Sequence, residues 1–160
     1  MRLPQHLAEQ LSSVPKSSDG YCEYAPCRVT LKSGEVLDHV YLVERDAFSR
    51  VWGAVATTVA LIDIERIDDS PVRLPARWAN ELYKAGESGM GYTLFIARLR
   101  DGSLLPFVVG NAVDFPNWPP GVQPEDVLDV QPHAGREFFR DRAPGPHESS
   151  AQFEWCLYDA

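Results

Sequence analysis

Part of this chain repeats itself, and a repeat constrains the fold more than any single motif does. Arg2, Leu3, Pro4, Ala8 and Leu11 recur as Arg73, Leu74, Pro75, Ala79 and Leu82 at an offset of 71. Gly20-Tyr21 recurs as Gly91-Tyr92 at the same offset. After a small gap, Leu31, Gly34, Leu37 and Val40 fall on Leu99, Gly102, Leu105 and Val108, and Asp63-Ile64-Glu65-Arg66-Ile67 falls on Asp126-Val127-Leu128-Asp129-Val130. The shared order over so many residues points to two related halves.

Each half reads as a helix followed by a small antiparallel sheet. Pro4 and Pro75 stand where a helix start tolerates the missing N–H. Behind them, Leu7, Ala8 and Leu11, like Trp78, Ala79 and Leu82, have helical spacing. Gly20-Tyr21 and Gly91-Tyr92 are read as strand openings, and the polar turns at Gly34 and Gly102 join hairpin arms rich in Val, Leu, Tyr and Phe. The run Thr57–Ile62 reads as a buried strand leading into Asp63–Ile67. Its counterpart is read as replaced by a loop holding Asp114, Phe115, Pro116, Trp118, Pro119 and Pro120, whose prolines exclude a central strand. Gly135–Arg140 reads as a short helix, and Phe153, Trp155 and Leu157 alternate as one face of a last strand on a sheet edge.

This element order resembles the Sm-like small barrel, in which a helix precedes a strongly bent sheet. The expected fold is therefore mainly β with short helices, an α+β chain of two tandem Sm-like barrel repeats packed together, each holding about four or five strands. The segments would be 1–71, 72–145, and 146–160 as linker and docking strand. A single mixed sheet with both helices on one face is the alternative. The resemblance implies ring assembly and RNA binding. This chain departs from it in lacking the early Asp and Asn pair and late Arg-Gly that bind uridine there.

Charge bears on partners. The 160 residues carry 15 Lys and Arg against 23 Asp and Glu, a net charge of −8, which disfavours nucleic acid and favours a basic protein partner. The negative charge is concentrated in residues 1–71 and in the tail. No apolar run approaches the roughly 20 residues of a membrane span, and no apolar signal core follows Arg2, so the expected compartment is the cytoplasm. Cys22, Cys27 and Cys156 are too few and too scattered for a disulfide framework or a four-ligand zinc site. Neither a cofactor nor a metal is called for.

The glycine cluster Gly86–Gly91 surrounds Glu87, Ser88 and Met90. A phosphate-binding loop needs strand first and helix after, and here the order is reversed. A nucleophile elbow needs glycine where Met90 stands. Gly86-Glu87-Ser88-Gly89 is similar to the serine-bearing Gly-Asp-Ser-Gly of trypsin-like proteases, with His39 and Asp63 preceding it in that family's order. The flanking residues of both are missing. The plain reading is a helix-to-strand connection that can carry binding contacts.

Trp118 and Phe115, beside Asp114 in the proline-rich loop, read as a rigid aromatic anchor for a partner, the other reading being a loop folded back as a plug over an open barrel end. The leading functional expectation is a non-catalytic protein–protein recognition module of the inhibitor, immunity-protein or adaptor type. Its contacts would come from Asp114, Phe115, Trp118, Glu87, Ser88 and Met90. RNA binding through an Sm-like surface is the alternative, and a small hydrolase ranks third.

Overall fold

The computed structural model describes residues 1–54 and 58–160. Among them are three α-helices and eight strands in two sheets, a mixed α+β fold. The chain divides into two compact units, one formed by residues 1–71 and 152–160 and the other by 72–151. The expected third segment is thus shared between them at residue 152.

In the first unit, helix α1 (Gln5–Ser12) starts directly after Pro4, whose carbonyl accepts the Ala8 amide at 2.9 Å. The strands are β1 (Ser17–Ser18), β2 (Glu23–Leu31), β3 (Val36–Glu44), β4 (Ile64–Asp69) and β8 (Glu154–Tyr158). The order is β1-β2-β3-β8, with β4 taking the part of the β2 edge that the short β1 leaves open. β8 lies parallel to β3, pairing Tyr41 with Trp155 and Leu42 with Cys156.

Strand period separates two buried faces. Ala25, Cys27, Val29, Val40 and Leu42 pack in one core with Leu7 and Leu11 of α1. Tyr24, Tyr41 and Val43, at alternate positions, are also buried. Their side of the sheet holds an aromatic cluster: Trp155 stacks on Tyr41 with ring centres 4.7 Å apart and meets Phe48 edge-on at 4.8 Å. Phe48 and Trp52 come from helix α2 (Arg45–Trp52), where they stand four residues apart and stack at 6.2 Å. The sequence reading did not include this helix.

The second unit repeats the plan. Helix α3 (Ala76–Ala85) follows Pro75 and buries Trp78, Ala79 and Leu82. Strands β5 (Thr93–Leu99), β6 (Leu104–Val109) and β7 (Val127–Pro132) form a sheet in the order β6-β5-β7, matching β3-β2-β4. Several of the matched residues hold equivalent places. Leu31 pairs with Ile64 and Leu99 with Val127, each just after a register shift. Lys32 donates its amide to the Asp63 carbonyl at 2.8 Å, and Arg100 donates to that of Asp126 at 2.9 Å. Gly34 and Gly102 close their hairpins at φ of 92° and 86°.

Several expectations need correction. The sheets are open, not closed Sm-like barrels, and they are two sheets, not one mixed sheet. In the first unit β8 occupies the β3 edge, and in the second only three strands form. Of the expected strand at 57–62, Thr57 lies outside the described residues. Thr58–Ala60 is not strand, and Leu61–Asp63 is a 3-10 turn whose counterpart is the turn Pro124–Asp126, not the proline-rich loop. Gly20-Tyr21 precedes β2 as a bend, and Arg136–Phe139 is a single 3-10 turn. No helix is long and apolar enough to cross a membrane among the described residues.

Candidate functional site

The loop between α3 and β5 is held at its base by its own residues. Gly86 ends the helix at φ 81°, a conformation glycine adopts without Cβ strain. The Ser88 amide donates to the Tyr92 carbonyl at 3.0 Å, and the Leu94 amide donates to Ser88 Oγ at 2.8 Å. A Cβ at Gly89 would lie 2.4 Å from the Tyr92 ring, so a side chain there would have to displace that ring.

Ser88 Oγ also lies 2.7 Å from Nδ1 of His133. The other ring nitrogen, Nε2, is 3.2 Å from the Ala85 carbonyl, and the His133 amide donates to the Leu94 carbonyl at 2.7 Å. A carbonyl only accepts, so in the neutral ring Nε2 carries the proton and Nδ1 accepts from the Ser88 hydroxyl. His133 adopts a φ of 62°, unusual for a residue with a side chain. The end of α3, the loop and the turn after β7 are thereby joined by one polar chain. Above it Met90 is 99% exposed, and Glu87 is exposed beside it.

Next to this clamp a cavity of about 260 Å³ opens between the sheet and the segment after β7. Leu94, Val108, Phe139 and Pro144 form apolar wall, with Tyr92, Arg136 and Arg140 completing the lining. Arg136 Nη1 donates to the Tyr92 hydroxyl at 3.1 Å, its guanidinium carbon 5.9 Å from that ring's centre.

The proline-rich loop does not present Asp114 and Phe115 as an anchor. Asp114 and Phe115 are buried, with 0% and 1% exposure. The Tyr83 hydroxyl donates to Asp114 Oδ2 at 2.6 Å, and the Asp114 carbonyl accepts the Leu74 amide at 2.7 Å. The Phe115 carbonyl accepts the Ala151 amide at 2.9 Å. Trp118 is half-buried, meets Phe107 edge-on at 5.6 Å and donates Nε1–H to the Val72 carbonyl at 2.8 Å. The loop folds back on its own unit, because each turn of it finds a backbone or aromatic partner there.

His39 and Asp63 belong to the first unit and Ser88 to the second. The histidine that reaches Ser88 is His133, 45 residues away on a turn. Nothing in the local sequence pairs these two, since the link depends on how β7 returns beside β5. His39 is half-buried on β3, and desolvation holds its pKa below the usual value against the opposing field of Asp38. Asp68 pairs with Arg66, and Asp126 Oδ2 accepts the Gln123 amide at 3.0 Å. The three cysteines are buried free thiols. Among the described residues no group of three or more His, Cys, Asp or Glu is placed to share a metal ion.

Of the six residues proposed from sequence, Glu87, Ser88 and Met90 lie at one place, whereas Asp114 and Phe115 are core. Compared with family models, with curated proteins and with solved structures, the chain matches none.

Proposed function

We propose that this protein is a non-catalytic recognition module, an inhibitor or adaptor that captures a basic protein partner. The observation that carries the reading is Met90, an apolar side chain held almost wholly in solvent on a loop whose base is pinned by Ser88 and His133. A rigid loop presenting an apolar tip loses little conformational freedom on binding. The net charge of −8 favours encounter with a basic protein. Most of it belongs to the first unit, with 7 Lys and Arg against 13 Asp and Glu. A reducing compartment such as the cytoplasm suits three unpaired thiols.

A photo-crosslinking residue at position 90 in the native cell identifies the partner, and binding is then measured with both proteins purified. The expected result is a loss of about tenfold or more in affinity for Met90→Ser. Undiminished affinity in that variant overturns the assignment of the loop.

A second reading, a serine nucleophile, is favoured by the 2.7 Å approach of Ser88 Oγ to His133. Against it, the Ala85 carbonyl stands where a triad places its orienting carboxylate. A fluorophosphonate probe separates the two. Labelling at Ser88 that Ser88→Ala abolishes would replace the recognition reading with acyl transfer.

A further inference from the structure

We infer that the cavity of the second unit binds a small amphipathic carboxylate, an aliphatic or aryl-substituted monocarboxylic acid. Arg28, Arg45, Arg66, Arg98 and Arg142 each hold a carboxylate within salt-bridge distance. Among the described residues Arg136 and Arg140 do not, and neither do Arg2, Arg50, Arg77 and Arg100, but Arg136 and Arg140 are the two that line this cavity: Arg136 donates to the Tyr92 hydroxyl, and Arg140 has neither an ion pair nor a hydrogen bond. Two guanidinium groups without an acid, at the wall of one cavity in a chain with excess carboxylates, leave a place for an anion from outside. Guanidinium binds carboxylate through paired N–H donors. The Tyr92 contact already orients one of the two groups.

The rest of the wall determines what accompanies the charge. Leu94, Val108 and Phe139 offer hydrocarbon and an aromatic ring, which a bare inorganic anion would leave wet and an apolar tail would cover. The cavity of about 260 Å³ falls just below the roughly 300–1,000 Å³ of drug-sized pockets, so the ligand is small, of the size of octanoate or 3-phenylpropanoate. The site is independent of protein capture by Met90, and its test contains no protein partner.

The full-length protein, labelled with ¹⁵N, is titrated with octanoate and 3-phenylpropanoate, and with octylamine, acetate and inorganic phosphate as comparisons. Saturable shifts of the Leu94, Val108 and Phe139 amides with the two amphipathic acids are expected, with the three comparison compounds much weaker. Arg136→Gln and Arg140→Gln each weaken binding about tenfold, while Arg77→Gln, on an exposed arginine of α3 outside the lining, leaves it unchanged. Both lining arginines are exposed, so the variants keep the native spectrum, and Arg140→Lys separates charge from paired donors by an intermediate loss. The inference is overturned by the absence of saturable shifts with either acid, by octylamine binding equally well, or by folded Gln variants that bind as the native chain does.

Discussion

Ser88 and His133, 45 residues apart, share a hydrogen bond of 2.7 Å that ties the α3–β5 loop to the turn after β7. Ser88 Oγ serves two bonds at once, accepting from the Leu94 amide at 2.8 Å and donating to Nδ1. Ser88→Ala removes both. The expected loss is about 1 kcal/mol of stability, together with faster hydrogen exchange of the 88–94 amides while amides of the first unit are unchanged. Exchange monitored by mass spectrometry checks it, and uniform protection would mean that the loop is held by other contacts.

A second network lies in the first unit, where the buried Tyr24 hydroxyl donates to Asp19 Oδ2 at 2.6 Å and accepts from Trp52 Nε1 at 3.1 Å. Tyr24→Phe leaves the indole N–H and a carboxylate oxygen without this partner. It is expected to lower the unfolding free energy by about 1–3 kcal/mol, seen as a reduced urea midpoint and a shifted Trp emission. An unchanged midpoint would show that water replaces the hydroxyl without loss.

Much of this plan was legible in the repeat. Proline before a helix, apolar residues at helical spacing and the Gly34 and Gly102 turns are local signals, and each half presents them in the same order. Helix α2 was hidden because it has only two turns, in which Ala47 and the exposed Val51 blur the one-sided spacing of Phe48 and Trp52. The folded-back position of Asp114 and Phe115 depends on partners at Leu74, Tyr83 and Ala151, contacts that no local pattern encodes. The clamp had one visible half, the glycine cluster, while His133 gave no sign of its partner. Arg136 and Arg140 showed a four-residue spacing, but their lack of acidic partners is a property of the fold alone.

Equivalent turns invite a paired test. Gly34 and Gly102 have φ near 90° with nothing within 4 Å of an added Cβ, so alanine meets only backbone strain. Gly34→Ala and Gly102→Ala are each expected to cost about 1–2 kcal/mol, by chemical denaturation. A large difference between the two would argue against equivalent turns.

Alkali acts on the buried acids of the first unit. Burial pushes the Cys156 thiol up to about 12 from an ordinary 9.0, and burial together with the Asp19 hydrogen bond raises the Tyr24 phenol. Above about pH 9 the unfolded chain loses these protons while the folded chain keeps them, so stability falls as pH rises. Urea midpoints between pH 8 and 11 are expected to decline, less steeply in Cys156→Ala, and a flat profile refutes the assignment.

His39 acts on the acid side with the opposite dependence. Desolvation lowers its folded pKa below 6.5, so as pH falls through that value the unfolded chain takes up a proton first and stability declines. His39→Gln is expected to flatten the stability profile over this interval, with no change near pH 8. An identical slope in the variant would assign the decline to other groups.

The parallel pairing of β3 with β8 sets an order on biosynthesis. Residues 36–44 leave the ribosome long before 152–160, and all of the second unit is made in between. Until Glu154–Tyr158 emerges, β3 has an unpaired edge, and Tyr41 lacks the Trp155 ring that stacks on it. The first unit to be translated is therefore the last to be completed, and a stalled or truncated chain exposes an apolar strand edge that invites chaperone binding or aggregation.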